Sequence, residues 1–154
     1  FEERYKAKEE LVKANRWKTI RLEDAADSNL LDVFSIANEF IKNALQNSGK
    51  VVIHSLEGFS RSSSICIGYM MMEKQMTLLQ ASEHMKNLRA ININRGFWRQ
   101  LHALDILLNG KESIPEADLP GAIIFEKEAI QSIVDDFKHK FQLESQGRKR
   151  RTNQ

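Results

Sequence analysis

The chain has 154 residues, of which 42% are hydrophobic and 29% charged, and its 23 basic residues nearly balance its 21 acidic ones. This length supports one domain with a hydrophobic core, and the composition is that of a globular protein rather than a disordered or fibrous one. The net charge of +2 does not produce the strongly basic field that would indicate nucleic acid as a partner.

A single cysteine, Cys66, excludes an internal disulfide and a cysteine-rich zinc site. The four histidines show no metal-ligand spacing, so we expect no metal and no cofactor. No stretch reaches the roughly 20 apolar residues of a membrane helix, and none has the pattern of a signal peptide. We therefore expect no membrane and a reducing, cytoplasmic location, with nuclear import left open by the basic run at 148–151.

Helices are predicted at about residues 1–15, 30–46, 78–89 and 96–108, where apolar residues recur three and four positions apart. Thr77 is expected to cap the third of these. The periodicity places Leu45, Leu88 and Leu108 on buried faces. A further core helix is predicted over the apolar run 65–72, with the serines at 62–64 as a capping segment.

Two segments are predicted to be strands. Trp17 to Leu22 favours a short strand, and Val51 to Ile53, β-branched and uniformly apolar, is expected to be a strand buried on both faces. Together with the helices they predict an α/β fold with a central, mostly parallel sheet flanked by helices.

The C-terminal part follows a linker marked by Pro115 and Pro120. Apolar spacing there predicts an amphipathic helix over 124–141, which packs on its own domain or offers a partner or dimer contact. The basic tail is expected to be disordered, and a solvated tail, an import signal and a docking segment for an acidic partner all remain open.

Between the predicted strand 51–53 and the predicted helix lies the sequence H-S-L-E-G-F-S-R-S, residues 54–62. A curled loop ending at a helix N-terminus directs backbone N–H groups inward, where they can hold phosphate. Gly58 supplies backbone freedom, and the planar fork of Arg61 can bind two phosphate oxygens. The loop therefore predicts phosphate recognition.

This loop resembles HCx5R(S/T), the signature of the protein tyrosine and dual-specificity phosphatases, with Ser55 in the cysteine position. The flanking segments I-R-L-E-D, A-N-E-F-I, I-G-Y-M-M and N-R-G-F-W-R-Q-L also resemble that family, over about residues 17–110. The resemblance implies a protein tyrosine phosphatase-like fold. It also implies hydrolysis of phosphotyrosine and phosphoserine/threonine on proteins through a phosphocysteine intermediate.

The resemblance also implies a role for individual positions. Ser55 occupies the position of the nucleophile, Asp24 that of the general acid, and Arg61 that of the phosphoryl-binding residue. Ser62 corresponds to the hydroxyl that assists release of the phosphoenzyme, and His54 to the residue that supports its neighbour. The phosphate cradle would be completed by the backbone amides of Leu56, Glu57, Gly58, Phe59, Ser60 and Arg61.

Serine at position 55 changes the chemistry. A thiol of pKa ~8.5 beside a helix N-terminus and a cation can fall to roughly 3.5 to 7.5, whereas an alcohol does not ionise there. The family's mechanism provides no base for the serine proton, since Asp24 is needed protonated. The chain as written is thus expected to bind phosphate and barely turn over, either as an engineered substrate trap or as a natural pseudophosphatase.

Alternatives remain for individual residues. Glu23 or Asp27 could act in place of Asp24, and Cys66, inside the apolar run, is expected to be a packing residue rather than a replacement nucleophile. Residues 58–62 also come close to the GxSxG elbow of serine hydrolases but lack its final glycine.

Four segments are predicted: an N-terminal helical segment (1–16), a dual-specificity phosphatase-like catalytic domain (17–112), a linker with the amphipathic helix (113–142) and a basic tail (143–154). The strands that family members carry before the acid loop are expected to be missing, and Ile93 replaces the usual proline before Asn94. The resemblance implies a phosphorylated protein substrate, with a mitogen-activated protein kinase as the family's commonest target. The sequence does not give the oligomeric state.

Overall fold

The computed structural model describes residues 2–120, with side chains from residue 6 onward, and six further residues. Five helices lie within this part of the chain: α1 (Glu2–Lys13), α2 (Leu31–Gln46), α3 (Arg61–Glu73), α4 (Leu78–Leu88) and α5 (Arg95–Asn109). A 3-10 turn, Glu116–Asp118, follows. None of the described helices is long and apolar enough to span a bilayer.

The predicted helix 124–141 and the basic tail fall almost entirely outside the described residues. The exceptions, which are helical and exposed, are residues 131, 132, 135, 136, 138 and 139.

The helices within residues 2–120 confirm the helices that apolar periodicity predicts. Thr77 caps α4 as predicted, since its side chain accepts a hydrogen bond from the Gln80 N–H and its own N–H donates to the Gln80 side chain. Helix α3 begins earlier than predicted, at Arg61, so the serines at 62–64 lie buried in its first turn instead of capping it. Three leucines that were expected to be buried are exposed: Leu45, Leu88 and Leu108.

The predicted central sheet is wrong for the described residues, which contain no strand. Within them, Val51 to Ile53 make no backbone hydrogen bond, and Val52 is 86% exposed rather than buried on both faces. Apolar β-branched residues supply strand propensity, but a strand forms only where another segment pairs with it. Neither 17–22 nor any other described segment pairs with 51–53.

The segment 51–56 nevertheless has the side-chain alternation of an extended chain. Its odd-numbered residues are partly buried and its even-numbered residues are exposed. Ser55 consequently lies on the same side as the residues packed against the core, whereas His54 faces outward.

Helix α3 occupies the centre of the helical core and contacts α2, α4 and α5. Its buried apolar side chains pack with those of the three neighbouring helices. Fully enclosed side chains in this core include Phe34, Ile67, Leu78, Phe97 and Leu101. This packing fixes the N-terminal end of α3, where the loop 54–60 arrives.

Gln100 on α5 holds the start of α2. Its side-chain oxygen accepts hydrogen bonds from the N–H groups of Leu30 at 2.7 Å and Leu31 at 3.3 Å. Its amide nitrogen donates to the carbonyls of Ser28 at 2.8 Å and Gly96 at 3.2 Å. The buried amide thus satisfies backbone groups that the end of a helix leaves without a partner.

Asp105, fully buried on the same helix, accepts hydrogen bonds at the start of α4. Its Oδ1 accepts from the Leu78 N–H at 2.9 Å and from Asn109 Nδ2 at 2.8 Å. Its Oδ2 accepts from the N–H and the hydroxyl of Ser113, both at 2.6 Å. The carboxylate therefore joins α4, α5 and the segment that follows α5.

Replacing Asp105 should destabilise the fold strongly. In Asp105→Ala the N–H groups of Leu78 and Ser113 lose their acceptor, and we expect unfolding free energy to fall by about 3 kcal/mol. Asp105→Asn keeps one acceptor oxygen and should cost about half as much. Urea unfolding followed by circular dichroism measures both, with the exposed Asp27→Ala as control, expected within about 0.5 kcal/mol of the parent. A loss below about 1 kcal/mol for Asp105→Ala would contradict this account.

Candidate functional site

The loop 54–60 leads directly into α3, and two serines of the first turn hold it in place. Ser63 Oγ donates to the Gly58 carbonyl at 3.2 Å, and Ser64 Oγ donates to the Ser60 carbonyl at 2.8 Å. Gly58 has a φ of 76°, a left-handed conformation that side chains disfavour. The loop is thus curled back onto the helix that follows it.

The Ser55 hydroxyl lies at the N-terminus of α3. Its oxygen accepts from the Ser62 N–H at 3.4 Å and donates to the Ser62 hydroxyl at 3.2 Å. A helix N-terminus carries a partial positive charge and free N–H groups, so it favours a negatively charged atom at this place.

The backbone of the loop is available to a ligand. Among the described residues, no backbone N–H of 56–61 donates a hydrogen bond. Two apolar side chains of the loop are exposed, Leu56 by 89% and Phe59 by 40%, beside the exposed Glu57. A curled loop with several unbonded N–H groups is the arrangement by which proteins bind oxyanions.

Asp24 is tied to this loop by a network that the sequence does not predict. Its Oδ1 accepts from Ser60 Oγ at 2.6 Å and from Asn94 Nδ2 at 2.7 Å. The Asn94 N–H in turn donates to Ser60 Oγ at 3.2 Å. The three residues come from the segment around Asp24, the loop 54–60 and the start of α5, and the network brings these parts together.

Close backbone packing reinforces this meeting of segments. Gly96, in the first turn of α5, lies so near the segment after Asp24 that a Cβ there would overlap the Ala26 carbonyl. The Asn92 N–H also donates to the Phe59 carbonyl at 3.1 Å.

Arg61 faces the segment 22–24. Its Nε is 3.8 Å from Asp24 Oδ2, and its Nη1 donates to the Leu22 carbonyl at 3.4 Å. The buried Nε atom makes no hydrogen bond within the described part of the chain. The guanidinium therefore retains donor capacity at the site.

His54 lies outside this network. It is exposed, its ring centroid is 6.1 Å from that of Trp17 in an edge-on arrangement, and no hydrogen bond joins it to Ser55 among the described residues. Lys8 of α1 lies 5.5 Å above the Trp17 ring. The structure thus separates His54 from the residues that surround the Ser55 hydroxyl.

The residues considered as alternatives to Asp24 and Ser55 do not have contacts of this kind with the loop. Within the described residues, the side chains of Glu23 and Asp27 make no hydrogen bond or ion pair with the loop, whereas Asp24 does. Burial raises the pKa of the Cys66 thiol more than the Arg89 guanidinium lowers it. A thiol that stays protonated suits the packing position that Cys66 has in α3.

Sequence reasoning missed the side-chain roles of Ser60 and Asn94. Both lie inside motifs that the sequence displays, the loop and N-R-G-F-W-R-Q-L. Asn94 could have been found as a helix cap, because its side chain accepts from the Phe97 N–H at 2.9 Å. Nothing in the spacing, however, indicates that Ser60, 36 positions from Asp24, and Asn94, 70 positions from it, both reach that carboxylate.

Comparisons with known proteins point to one family. The protein-family model "Dual specificity phosphatase, catalytic domain" matches residues 2–106. Dual specificity protein phosphatase 18 of Pongo abelii is 35% identical over 109 residues, which are 68% of this chain and 58% of that protein. Dual specificity protein phosphatase 26 of Mus musculus is 42% identical over 86 residues, covering 53% of this chain and 41% of that protein.

A solved structure shares the fold. The crystal structure of human tyrosine phosphatase-like serine/threonine/tyrosine-interacting protein superposes with a TM-score of 0.54 at 33% identity, covering 56% of this chain and 58% of that one. The chain spans about half the length of the curated relatives quoted above. By sequence and by fold, the chain belongs to the dual specificity phosphatase catalytic domain family.

Proposed function

We propose that residues 54–62 bind the phosphoryl group of phosphorylated tyrosine, serine or threonine in a protein, and that this chain holds that group without hydrolysing it. The observation that carries the proposal is the place of the Ser55 hydroxyl, bonded to the Ser62 N–H at the N-terminus of α3. The unbonded N–H groups of 56–61 and the Arg61 guanidinium support it.

Serine accounts for the absence of turnover. A thiolate at position 55 would be stabilised by the Ser62 N–H and by the dipole of α3. An alcohol there needs a general base, and its partner within the described residues is the Ser62 hydroxyl, which is not one. The family's reaction through a phosphocysteine intermediate is therefore assigned to a cysteine-bearing parent.

Two origins for Ser55 fit this function. In one, it replaces cysteine in an active enzyme and gives a substrate-trapping form. In the other, it is natural and the chain is a pseudophosphatase, a phosphoprotein-binding module. The intact contacts of Asp24 with Ser60 and Asn94 favour the first, because a binding module gains nothing from a general acid. Similarity to a protein described as tyrosine phosphatase-like favours the second.

The ligand we propose is a phosphoprotein. The exposed part of the loop at Leu56 and Phe59 leaves room for a polypeptide beside the phosphate. A mitogen-activated protein kinase is the partner that the family resemblance favours, and the cytoplasm, with nuclear entry through the basic tail, is the location that we propose.

Ser55→Cys should confer phosphatase activity. The new thiol would ionise at the N-terminus of α3 and attack phosphorus, so we expect vanadate-sensitive hydrolysis of p-nitrophenyl phosphate, measured by absorbance of the released phenolate. Adding Asp24→Asn should lower kcat for phosphotyrosine, whose leaving group needs a proton, by about 100-fold, the smaller end of the general acid's range.

The matched control is the double variant Ser55→Cys, Cys66→Ser. It should be as active as Ser55→Cys alone, since the Cys66 thiol is a packing group. Failure of a folded Ser55→Cys protein to hydrolyse the aryl phosphate would refute the assignment of position 55.

Phosphopeptide binding should depend on Arg61. The unmodified chain is expected to bind a phosphotyrosine peptide in isothermal titration calorimetry and to lose at least about tenfold in affinity on Arg61→Ala, which removes the charge-assisted hydrogen bonds. Arg61→Lys, which keeps the charge but not the planar fork, should fall between the two.

Two comparisons isolate the phosphate contact. Lys111→Ala removes an exposed positive charge near the far end of α5 and should leave affinity unchanged. The unphosphorylated peptide should not bind. Equal affinity for the two peptides would rule out phosphate recognition by this loop.

A further inference from the structure

Asn94 is the residue in which three parts of the site meet. Its side-chain oxygen accepts the Phe97 N–H and caps α5, its side-chain nitrogen donates to Asp24, and its backbone N–H donates to Ser60. One residue thus connects the start of α5 to the segment around Asp24 and to the loop 54–60.

The contacts of Asn94 make the two oxygens of Asp24 unequal. Oδ1 is occupied by two short hydrogen bonds, from Ser60 Oγ at 2.6 Å and Asn94 Nδ2 at 2.7 Å. Oδ2 accepts no hydrogen bond within the described residues and lies 3.8 Å from Arg61 Nε. Because a proton on Oδ1 would meet two donors, an added proton belongs on Oδ2.

Oδ2 is also the oxygen that faces the phosphate-binding residue. A proton on Oδ2 therefore lies on the side of Asp24 that faces the group that Arg61 is proposed to bind.

We propose that Asn94 is a positioning residue that, with Ser60, anchors Asp24 Oδ1 and thereby directs a proton on Oδ2 toward the leaving-group oxygen. The inference rests on the proposed function. In the Ser55→Cys protein the thiolate forms a bond to phosphorus as the bond from phosphorus to the leaving oxygen breaks. That oxygen keeps the electron pair and takes the Oδ2 proton, which leaves Asp24 as a carboxylate.

The test uses Asn94→Ser in the Ser55→Cys protein. Serine is a good helix N-cap, so α5 keeps its cap, but the shorter side chain cannot donate to Asp24. We expect kcat for phosphotyrosine, whose leaving group needs a proton, to fall about tenfold, part of a general acid's contribution. For p-nitrophenyl phosphate, whose leaving group is stable as an anion, the fall should be about twofold or less.

Two further variants separate positioning from folding. Asn94→Asp also caps α5 but places a like charge beside Asp24, and should lower kcat for phosphotyrosine more than Asn94→Ser does. In the Asp24→Asn background, Asn94→Ser should have no further effect, because the two residues act as one unit.

The outcomes distinguish this inference from the function on which it rests. Equal losses for the two substrates, or an additive loss in the Asp24→Asn background, would overturn the positioning role while leaving phosphate hydrolysis intact. An inactive Ser55→Cys protein would overturn the proposed function and this inference together. Selective loss with phosphotyrosine that disappears in the Asp24→Asn background supports it.

Discussion

Helix α5 and its N-cap are the element on which the arrangement of the others depends, because their polar side chains supply partners for four other segments. Asn94 holds the segment around Asp24 and the loop 54–60, Gln100 the start of α2, and Asp105 the start of α4. Gln100 and Asp105 lie where backbone N–H groups of Leu30 and Leu78 would otherwise be buried without a hydrogen bond, which costs more than most apolar contacts contribute. These contacts consequently fix the positions of the helices relative to one another, and with them the position of the loop.

This dependence explains why the site is organised although the described residues contain no sheet. In an open α/β fold, the carboxyl end of a strand presents the ligand loop. Here the loop is positioned from the other side, by the first turn of α3 through Ser63 and Ser64 and by α5 through Asn94. Within the described residues, the curled conformation of the loop is therefore held by helix contacts and not by strand pairing at 51–53.

Much of this could be predicted from the sequence. Helical periodicity and the apolar run 65–72 predicted the five helices within residues 2–120, because side-chain packing repeats along a helix, and the loop motif placed Ser55 and Arg61 at one helix end. The sheet was predicted wrongly, since strand propensity is local whereas strand pairing is not. The contacts of Asp24 with Ser60 and Asn94 escaped prediction for a related reason: they join distant positions, and neither residue type is unusual in a loop or cap.

The alternation of side chains between residues 51 and 56 has a consequence for variation in this chain. Ser55 faces the end of α3 because it lies an even number of residues from the core-facing positions 51 and 53, whereas His54 lies an odd number away and faces outward. Inserting or deleting one residue in the turn at 47–50 would leave every motif letter in place. It would nevertheless exchange the directions of imidazole and hydroxyl unless the turn absorbed the change. The in-and-out alternation of side chains over residues 51–56 is thus as important to the site as the side chains themselves, although it does not depend on any single residue.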